Sequence, residues 1–426
     1  MTERQGIFFR RFPGLASIAR NGTFLIGGEW IEAILRALYA LLIARWLGPY
    51  EYGVWSYALA ASGFAITLSM LGTDLLLPTR VGKDGDGARN FLHTSLAVRI
   101  GILILLAAGL AVYAYAGESG TFERFALLLL VPAVLARGSG LWFRTLAVGL
   151  ERVGPVMRWA VAIRLAEVAV GSAILMASMD VLALLALHSL TWLVELVVLR
   201  RVTRSMIDVR AVIDRGELSA VLGKGAIAGL AVSLASFLFA GPVIMLRHLI
   251  EDLTVVGQFG LAMQLAMFAV MAVQGALGAS QAVLSRAHAG EDTRVRHFGT
   301  IVLVTCLLSA VPLYLAALWL GPPVIDLLTG GDYAQAGALL PACLVLALVA
   351  VAPNGYWQVL VLRGRFSIGV GAGIAAVAAF LGLAEPAVDN FGATGIAYAA
   401  IAGSVMRAAI LGIAATVSRP PGQNPT

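Results

Sequence analysis

The stretch Arg45-Trp46-Leu47-Gly48-Pro49-Tyr50-Glu51-Tyr52-Gly53-Val54-Trp55 connects two long apolar segments, and part of it recurs about half a chain length later. In the second copy, Leu253–Gly260, Phe259-Gly260 aligns with Tyr52-Gly53 at an offset of 207 residues in a chain of 426. Two more matches have nearly the same offset, Leu71-Gly72 with Leu277-Gly278 and Arg152 with Arg365. The glycines indicate a tight connection between helices in each copy. The near-constant offset predicts two copies of one structural unit.

Composition places the chain in a membrane. Hydrophobic residues make up 60% of it and charged residues 13%, which is more apolar surface than a soluble protein of this length can bury. A helix needs roughly 20 apolar residues to cross the bilayer. Such runs lie at 22–46, 52–77, 91–116, 124–149, 154–178, 181–199, 220–247, 255–284, 298–320, 335–361, 367–384 and 392–417. The sequence therefore predicts an all-α, polytopic membrane protein with twelve transmembrane helices.

Lys and Arg are distributed unequally between the two sides that this topology defines. With the N-terminus in the cytoplasm, twenty of the 30 lie in cytoplasmic segments and three in outer loops. Short loops rich in Lys and Arg stay on the cytoplasmic side, so we expect both termini there. The same distribution explains the net charge of +6 without nucleic acid as a partner.

The repeat divides the chain into an N-terminal lobe, 21–205, and a C-terminal lobe, 206–417. Residues 1–20 combine phenylalanines with arginines, which predicts an amphipathic segment on the membrane surface. Residues 418–426 have the composition of a disordered tail. The outer loops are short, and the nucleotide-binding, zinc-protease and nucleophile-elbow motifs are absent from the sequence. We therefore expect no catalytic site, no metal site and no enzymatic activity.

The first predicted helix carries charge where lipid would oppose it. The spacing of Glu29, Glu32 and Arg36 puts all three on one helical face, and Glu32 falls roughly 15 Å along the helix, near the midplane. A charge at that depth costs about 2.5–3.5 kcal/mol in lipid, so it must face protein or water. Two interpretations remain open. Glu32 is linked to a coupling ion, or it forms a pair with Arg36 that only holds helices together.

Other ionisable residues lie inside the spans, mainly in the N-terminal lobe. The deep ones are Asp74, Arg99, Arg137 and Arg164 in that lobe and Arg407 in the other. Glu167 at i+3 is placed to neutralise Arg164 locally. A second group lies close enough to the inner interface for its side chains to reach water, so we expect snorkelling. That group comprises Arg144, Arg158 and Glu195.

The run Ala44–Gly53 resembles the R-x-L-G-P-x-x-Y-G signature of bacterial polysaccharide flippases of the Wzx type. These flippases belong to the multidrug/oligosaccharidyl-lipid/polysaccharide exporter (MOP) superfamily. The resemblance extends over the whole chain and includes Leu71-Gly72 to Arg80 and the stretch Thr329–Tyr333, which is similar to the G-x-x-Y of the second lobe. It implies a V-shaped MOP/MATE-like fold of two six-helix bundles. An even number of spans in each repeat makes the repeats parallel.

By this resemblance the protein would carry an undecaprenyl-pyrophosphate-linked oligosaccharide from the inner to the outer leaflet of the bacterial inner membrane. Alternating access would drive this step in the synthesis of a polysaccharide such as O-antigen. The implied partners are the lipid-linked oligosaccharide, membrane lipids, and the polysaccharide polymerase and glycosyltransferases of the pathway. The alternative is a cation-coupled multidrug antiporter of the same superfamily, which the acidic residues favour and the arginines oppose.

Each polar residue then has an expected role. Arginine binds phosphate through planar, bidentate hydrogen bonds, so the expected head-group ligands are Arg36, Arg99, Arg137, Arg164 and Arg407. The expected sites of coupling to H⁺ or Na⁺, the only cofactor implied, are Glu29, Glu32 and Asp74. Gly53 and Gly260 occupy matching turns and are expected hinges, with tight packing as the alternative.

Overall fold

The computed structural model describes residues 13–83, 88–118, 120–288 and 293–417, and this part of the chain contains helices and no strand. The predicted tail 418–426 and most of the predicted amphipathic segment 1–20 lie outside it. The helices are α1 Pro13–Leu68, α2 Thr73–Lys83, α3 Arg89–Gly117, α4 Thr121–Leu129, α5 Val131–Gly149, α6 Val153–Ala177, α7 Val181–Arg204, α8 Arg215–Ala220, α9 Ala226–Leu249, α10 Leu253–His288, α11 Thr293–Thr329, α12 Ala334–Val351, α13 Asn354–Leu362, α14 Phe366–Phe391 and α15 Ala393–Val417. A π-helical turn, Val221–Gly225, joins α8 to α9.

Helix α1 contains the first predicted span and most of the second, and it breaks between them. Gly48 has φ 81° and ψ 175°, outside the helical region. Glycine adopts a positive φ without a steric cost, and Pro49 suits the first turn of the helix that follows because that turn needs no N–H from it. The Gly48-Pro49 pair therefore makes the predicted connection by a kink and not by a loop.

The helices account for the predicted spans. Within the described residues, nine helices or helix pairs are long and apolar enough to cross a membrane. The two halves of α1 and helix α10 occupy the other three predicted spans. Three spans are interrupted, at residues 69–72 between α1 and α2, at Leu130 between α4 and α5 and at residues 352–353 between α12 and α13. The chain is thus a multi-pass membrane protein, as the sequence predicts.

Contacts group the chain into two compact units. The first unit comprises Met1–Tyr39, Ser69–Ser178 and Leu182–Ala226, and the second comprises Ala40–Leu68, Met179–Val181 and Ile227–Thr426. These units differ from the predicted lobes mainly because the second half of α1 groups with the C-terminal helices. The lobe boundaries at 21–205 and 206–417 describe the two copies of the repeat, and they stay a prediction.

Each unit has its own apolar core. In the first unit Trp142, Phe91 and Leu92 are buried at its centre. In the second unit Trp357, Tyr356 and Leu411 have the same role. The interior of the first unit also contains a set of charged residues. These charges form the candidate site.

Candidate functional site in the first unit

Arg144 is the central cation of the first unit. Its two terminal nitrogens bind the Glu32 carboxylate as a fork, with distances of 3.0 Å to Oε2 and 2.7 Å to Oε1. Its Nε and one terminal nitrogen also donate to Glu195 Oε1, at 3.1 and 2.7 Å. Arg144 thereby joins α1, α5 and α7. Glu32 and Glu195 are each 2% exposed, so this one guanidinium binds two carboxylates that have almost no access to solvent.

Arg137 extends this network along α5. The spacing of seven residues puts it on the same helical face as Arg144, and its guanidinium donates to Glu195 Oε1 at 2.7 Å. On its other side it lies 5.1 Å from the centre of the Trp192 ring, where a cation is attracted to the aromatic face. Arg137 is therefore held by an ion pair and a cation–π contact together.

Glu167 organises a second network between α6 and α7. It is fully buried and accepts hydrogen bonds from Arg164, from Thr191 Oγ1 at 3.0 Å and from His188 Nδ1, whose separation from Oε1 is 2.6 Å. Arg164 also faces the Trp192 ring, at 5.9 Å from its centre. Trp192 therefore contacts an arginine of each network. The predicted neutralisation of Arg164 by Glu167 is confirmed.

Glu29 and Arg36 differ from these residues because both are exposed residues of α1. The Arg36 guanidinium is within electrostatic range of Arg164, Glu32, Arg144 and Glu195. In the described part of the chain, however, neither Glu29 nor Arg36 makes an ion pair. Glu32 is bound by Arg144, so the hypothetical Glu32–Arg36 pair is not formed. Arg36 thus presents an exposed cation beside a buried network whose charges are matched.

Three other predicted residues lie apart from this network. Asp74 Oδ1 accepts from Arg99 at 3.2 Å and from Thr145 at 3.0 Å. Arg407, in the second unit, donates from both terminal nitrogens to Asn354 Oδ1 at 3.1 Å. The structure therefore brings Arg36, Arg137, Arg164, Glu29 and Glu32 into one region and leaves Arg99, Asp74 and Arg407 elsewhere.

The expectation of snorkelling is wrong for two residues. Arg144 and Glu195 bind each other across α5 and α7 because each supplies the counter-charge that the other needs in a dry interior. Helical depth alone could not reveal this pairing. The spacing of seven between Arg137 and Arg144 was the available signal. Sequence reasoning also assigned no role to His188 or Trp192, whose contacts cross between helices.

The two predicted hinge glycines lie in helical backbone within the second unit. A Cβ added at Gly53 would meet the Leu253 carbonyl oxygen at 2.0 Å, and one added at Gly260 would meet Ser56 Oγ at 2.6 Å. Gly257 likewise faces the Pro49 carbonyl oxygen, at 1.9 Å. This geometry favours the tight-packing alternative. The pronounced backbone break of α1 lies at Gly48.

Twelve spans that enclose a network of buried charges are typical of membrane transporters. Burying charge within a membrane costs free energy, so charged residues inside spans usually serve a function. A family model described as polysaccharide biosynthesis protein matches residues 18–288. That is more than half of the chain, which therefore belongs to this family. No curated protein matches it in sequence.

Solved structures share the fold. The eukaryotic MATE transporter AtDTX14 matches with a TM-score of 0.64 at 14% identity, over 95% of this chain and 96% of that one. A point mutant of the Vibrio cholerae MATE transporter VcmN matches with 0.65 at 12%, over 94% and 97%. The lipid II flippase MurJ in an inward closed conformation matches with 0.63 at 11%, over 91% and 86%. These proteins are transporters and a flippase rather than enzymes, and they belong to the MOP superfamily.

Proposed function

We propose that the protein flips an undecaprenyl-pyrophosphate-linked oligosaccharide from the inner to the outer leaflet of the bacterial inner membrane. The observation that carries this proposal is Arg36, an exposed residue of a spanning helix that lies beside buried arginines already matched by carboxylates. Membership in the polysaccharide biosynthesis family supports the substrate class. The glycan would serve synthesis of a surface polysaccharide such as O-antigen, with the polymerase and glycosyltransferases of the pathway as partners.

Arg36 suits the pyrophosphate because its planar fork of donors matches phosphate oxygens and it stays charged at any physiological pH. Arg137 and Arg164 would stabilise the head group at longer range, since each is already bound to a carboxylate. Arg99 and Arg407 also have partners, Asp74 and Asn354, and lie outside this site. We therefore narrow the head-group site to Arg36 with electrostatic support from its neighbours. The lipid tails would remain in the bilayer.

Coupling to H⁺ or Na⁺ would use a carboxylate that is not already committed to an arginine. Glu32 is bound by Arg144, and Asp74 by Arg99. Glu29 is exposed on the same face of α1, and it is the best placed of the three predicted residues. Alternating access would expose this region to each side of the membrane in turn.

A cation-coupled multidrug antiporter is the second candidate, and the exposed Glu29 carboxylate is the observation that favours it. Such a protein would use the carboxylate to bind cationic drugs. The exposed Arg36 on the same helical face opposes it, because a cation beside the site repels a cationic substrate.

The test is a flipping assay with purified protein in proteoliposomes that contain an undecaprenyl-pyrophosphate-linked oligosaccharide. We expect Arg36→Ala to reduce flipping at least about tenfold, since one hydrogen bond to a charged group contributes roughly 1.5–3 kcal/mol. Arg36→Lys should restore part of the rate because it keeps the charge and loses the fork. Arg210→Ala is the control, because Arg210 is exposed and pairs with Asp208 outside the predicted spans.

Efflux of a lipophilic cationic dye is measured in parallel. Dye efflux without oligosaccharide flipping would replace the proposed function with the second candidate. Flipping at the wild-type rate in Arg36→Ala would remove Arg36 from the substrate site.

A further inference from the structure

Glu167 and His188 form a contact that the proposed transport cycle does not yet use. His188 Nδ1 lies 2.6 Å from Glu167 Oε1, while Arg164 and Thr191 bind the other oxygen. Glu167 is fully buried and His188 is 6% exposed. Histidine is the side chain whose charge normally changes between about pH 5 and 8. The buried Glu167 carboxylate therefore binds an imidazole that can be either neutral or protonated.

The surroundings of His188 act on its protonation in opposite directions. The Glu167 carboxylate favours the charged imidazole, whereas burial and the two nearby arginines disfavour it. The Trp192 ring packs against it, with 4.4 Å between ring centres. From helix α4, the backbone carbonyl of Leu129 accepts a hydrogen bond from Ser189, the residue after His188. The charged and titratable groups that face His188 or its carboxylate are Glu167 and Arg164 from α6, Arg137 from α5 and Tyr39 from α1.

A proton on His188 changes the net charge of the two buried networks. Arg137, Arg144 and Arg164 are matched by the three carboxylates of Glu32, Glu167 and Glu195. The set is neutral when His188 is neutral, and protonation of His188 adds one positive charge that no residue of the set offsets. Charges interact more strongly where water is excluded. An anion arriving beside these groups would therefore be stabilised by the extra proton.

A physical route connects His188 with the exposed cation at which the anion would arrive. Trp192 packs on the His188 ring and also contacts Arg164 and Arg137. Arg36 is in turn within electrostatic range of Arg164 and Glu195. Trp192 and the buried arginines therefore lie between the proton site at His188 and the anion site at Arg36.

We propose that His188 is a proton-binding site whose occupation strengthens anion binding at Arg36, and that anion binding in turn draws a proton onto His188. This inference rests on the proposed function for the identity of the anion. Coupling between two binding sites is reciprocal, so the effect has two independent readouts. These are the pH dependence of anion affinity and the proton taken up when the anion binds.

The experiment uses full-length protein in nanodiscs, with inorganic pyrophosphate as the probe and calorimetry as the measurement at about pH 6 and about pH 8, which bracket histidine titration. His188→Asn keeps an N–H donor close to the position of Nδ1 but cannot be protonated. His297→Gln is the matched control, because His297 is exposed and lies in α11. Pyrophosphate itself gains protons in this range, so the readout is the difference between variants at each pH.

We expect the wild type and His297→Gln to bind more tightly than His188→Asn at the lower pH, with an affinity that changes by at most about tenfold per pH unit, the limit for one linked proton. The three proteins should bind alike at the higher pH. Measured in two buffers of different ionisation enthalpy, the wild type should take up more protons on binding than His188→Asn.

Equal affinities and equal proton uptake in wild type and His188→Asn would overturn this inference and leave the Arg36 site intact. Absence of pyrophosphate binding by the wild type at both pH values would overturn the Arg36 site and the inference together. Unfolding of His188→Asn would show as a lower melting temperature, and His188→Gln, which also has an amide N–H donor and no titratable group, then takes its place. Equal proton uptake by the wild type and His188→Gln would again overturn the inference.

Discussion

At the scale of single residues, Arg144 is the side chain whose loss should cost the most. Arg144→Met leaves the buried Glu32 carboxylate without its bound cation and removes one of the two cations that bind Glu195. Breaking a buried ion pair by removing one partner costs about 3–5 kcal/mol. We therefore expect a large drop in thermal stability in detergent. Arg200→Met, an exposed position in α7, should change stability by less than about 0.5 kcal/mol.

A second substitution separates the loss of this ion pair from a general packing defect. Glu32 has Arg144 as its hydrogen-bonding partner, so Glu32→Gln in the Arg144→Met background removes the uncompensated charge. The double variant should recover part of the lost stability, which a double-mutant cycle measures. Additive losses of stability would instead show that Arg144 acts by packing alone.

The sequence predicted which face of α1 is polar but not which residues complete the site. Spacing within one helix is fixed by the helical period, so Glu29, Glu32 and Arg36 could be placed together. Partners on other helices depend on how helices pack, which spacing within one helix does not determine. Arg144 and Glu195 therefore looked like interfacial residues until their contact across α5 and α7 was known.

At the scale of elements, the glycines of α1 and α10 allow two helices of the second unit to cross closely. Gly53→Ala would put its methyl group within 2.0 Å of the Leu253 carbonyl oxygen, and Gly257→Ala would meet the Pro49 carbonyl at 1.9 Å. Both obstacles are backbone atoms, which cannot rotate away. We expect each substitution to destabilise the protein by about 1–3 kcal/mol, the usual cost of overpacking, as measured by thermal unfolding.

The control for this prediction lies in the same helix. A Cβ added at Gly63 would meet nothing within 4 Å, and alanine favours a helix interior over glycine by about 0.5–1 kcal/mol. Gly63→Ala should therefore be neutral or stabilising. If Gly53→Ala also proved stable but slowed transport, bending at Gly53 and not packing would explain why glycine stands there.

Helix boundaries were harder to predict than helix existence. Apolar runs of sufficient length predicted the spans because the bilayer sets their length. The kink at Gly48, by contrast, joins two spans without a loop, and the interruption at residues 352–353 falls within one predicted span. Such local breaks depend on a few backbone angles, which hydrophobic runs do not determine.

At the scale of the whole molecule, the apolar runs predicted an all-α polytopic membrane protein, and the resemblance to polysaccharide flippases implied a MOP/MATE-like fold. The MATE and MurJ neighbours bear out both. The contacts of 40–68 were not predictable from the duplication, because a repeat specifies homology and not packing partners. Segment 40–68 groups with the C-terminal helices because of close crossings such as that of Gly53 with Leu253.

The topology gives the last prediction, since twelve spans put both termini on one side and the cationic loops put that side in the cytoplasm. Ser178 ends α6 on the predicted outer side, Ser205 follows α7 on the predicted inner side, and both are exposed. In intact cells, stripped of the outer membrane where one exists, Ser178→Cys should react with a membrane-impermeant maleimide. Ser205→Cys should react only after permeabilisation. The parental protein should give little background because Cys306 and Cys343 are buried. Labelling of Ser205→Cys before permeabilisation, with Ser178→Cys protected, would invert the orientation and move the twenty inner cations to the outside.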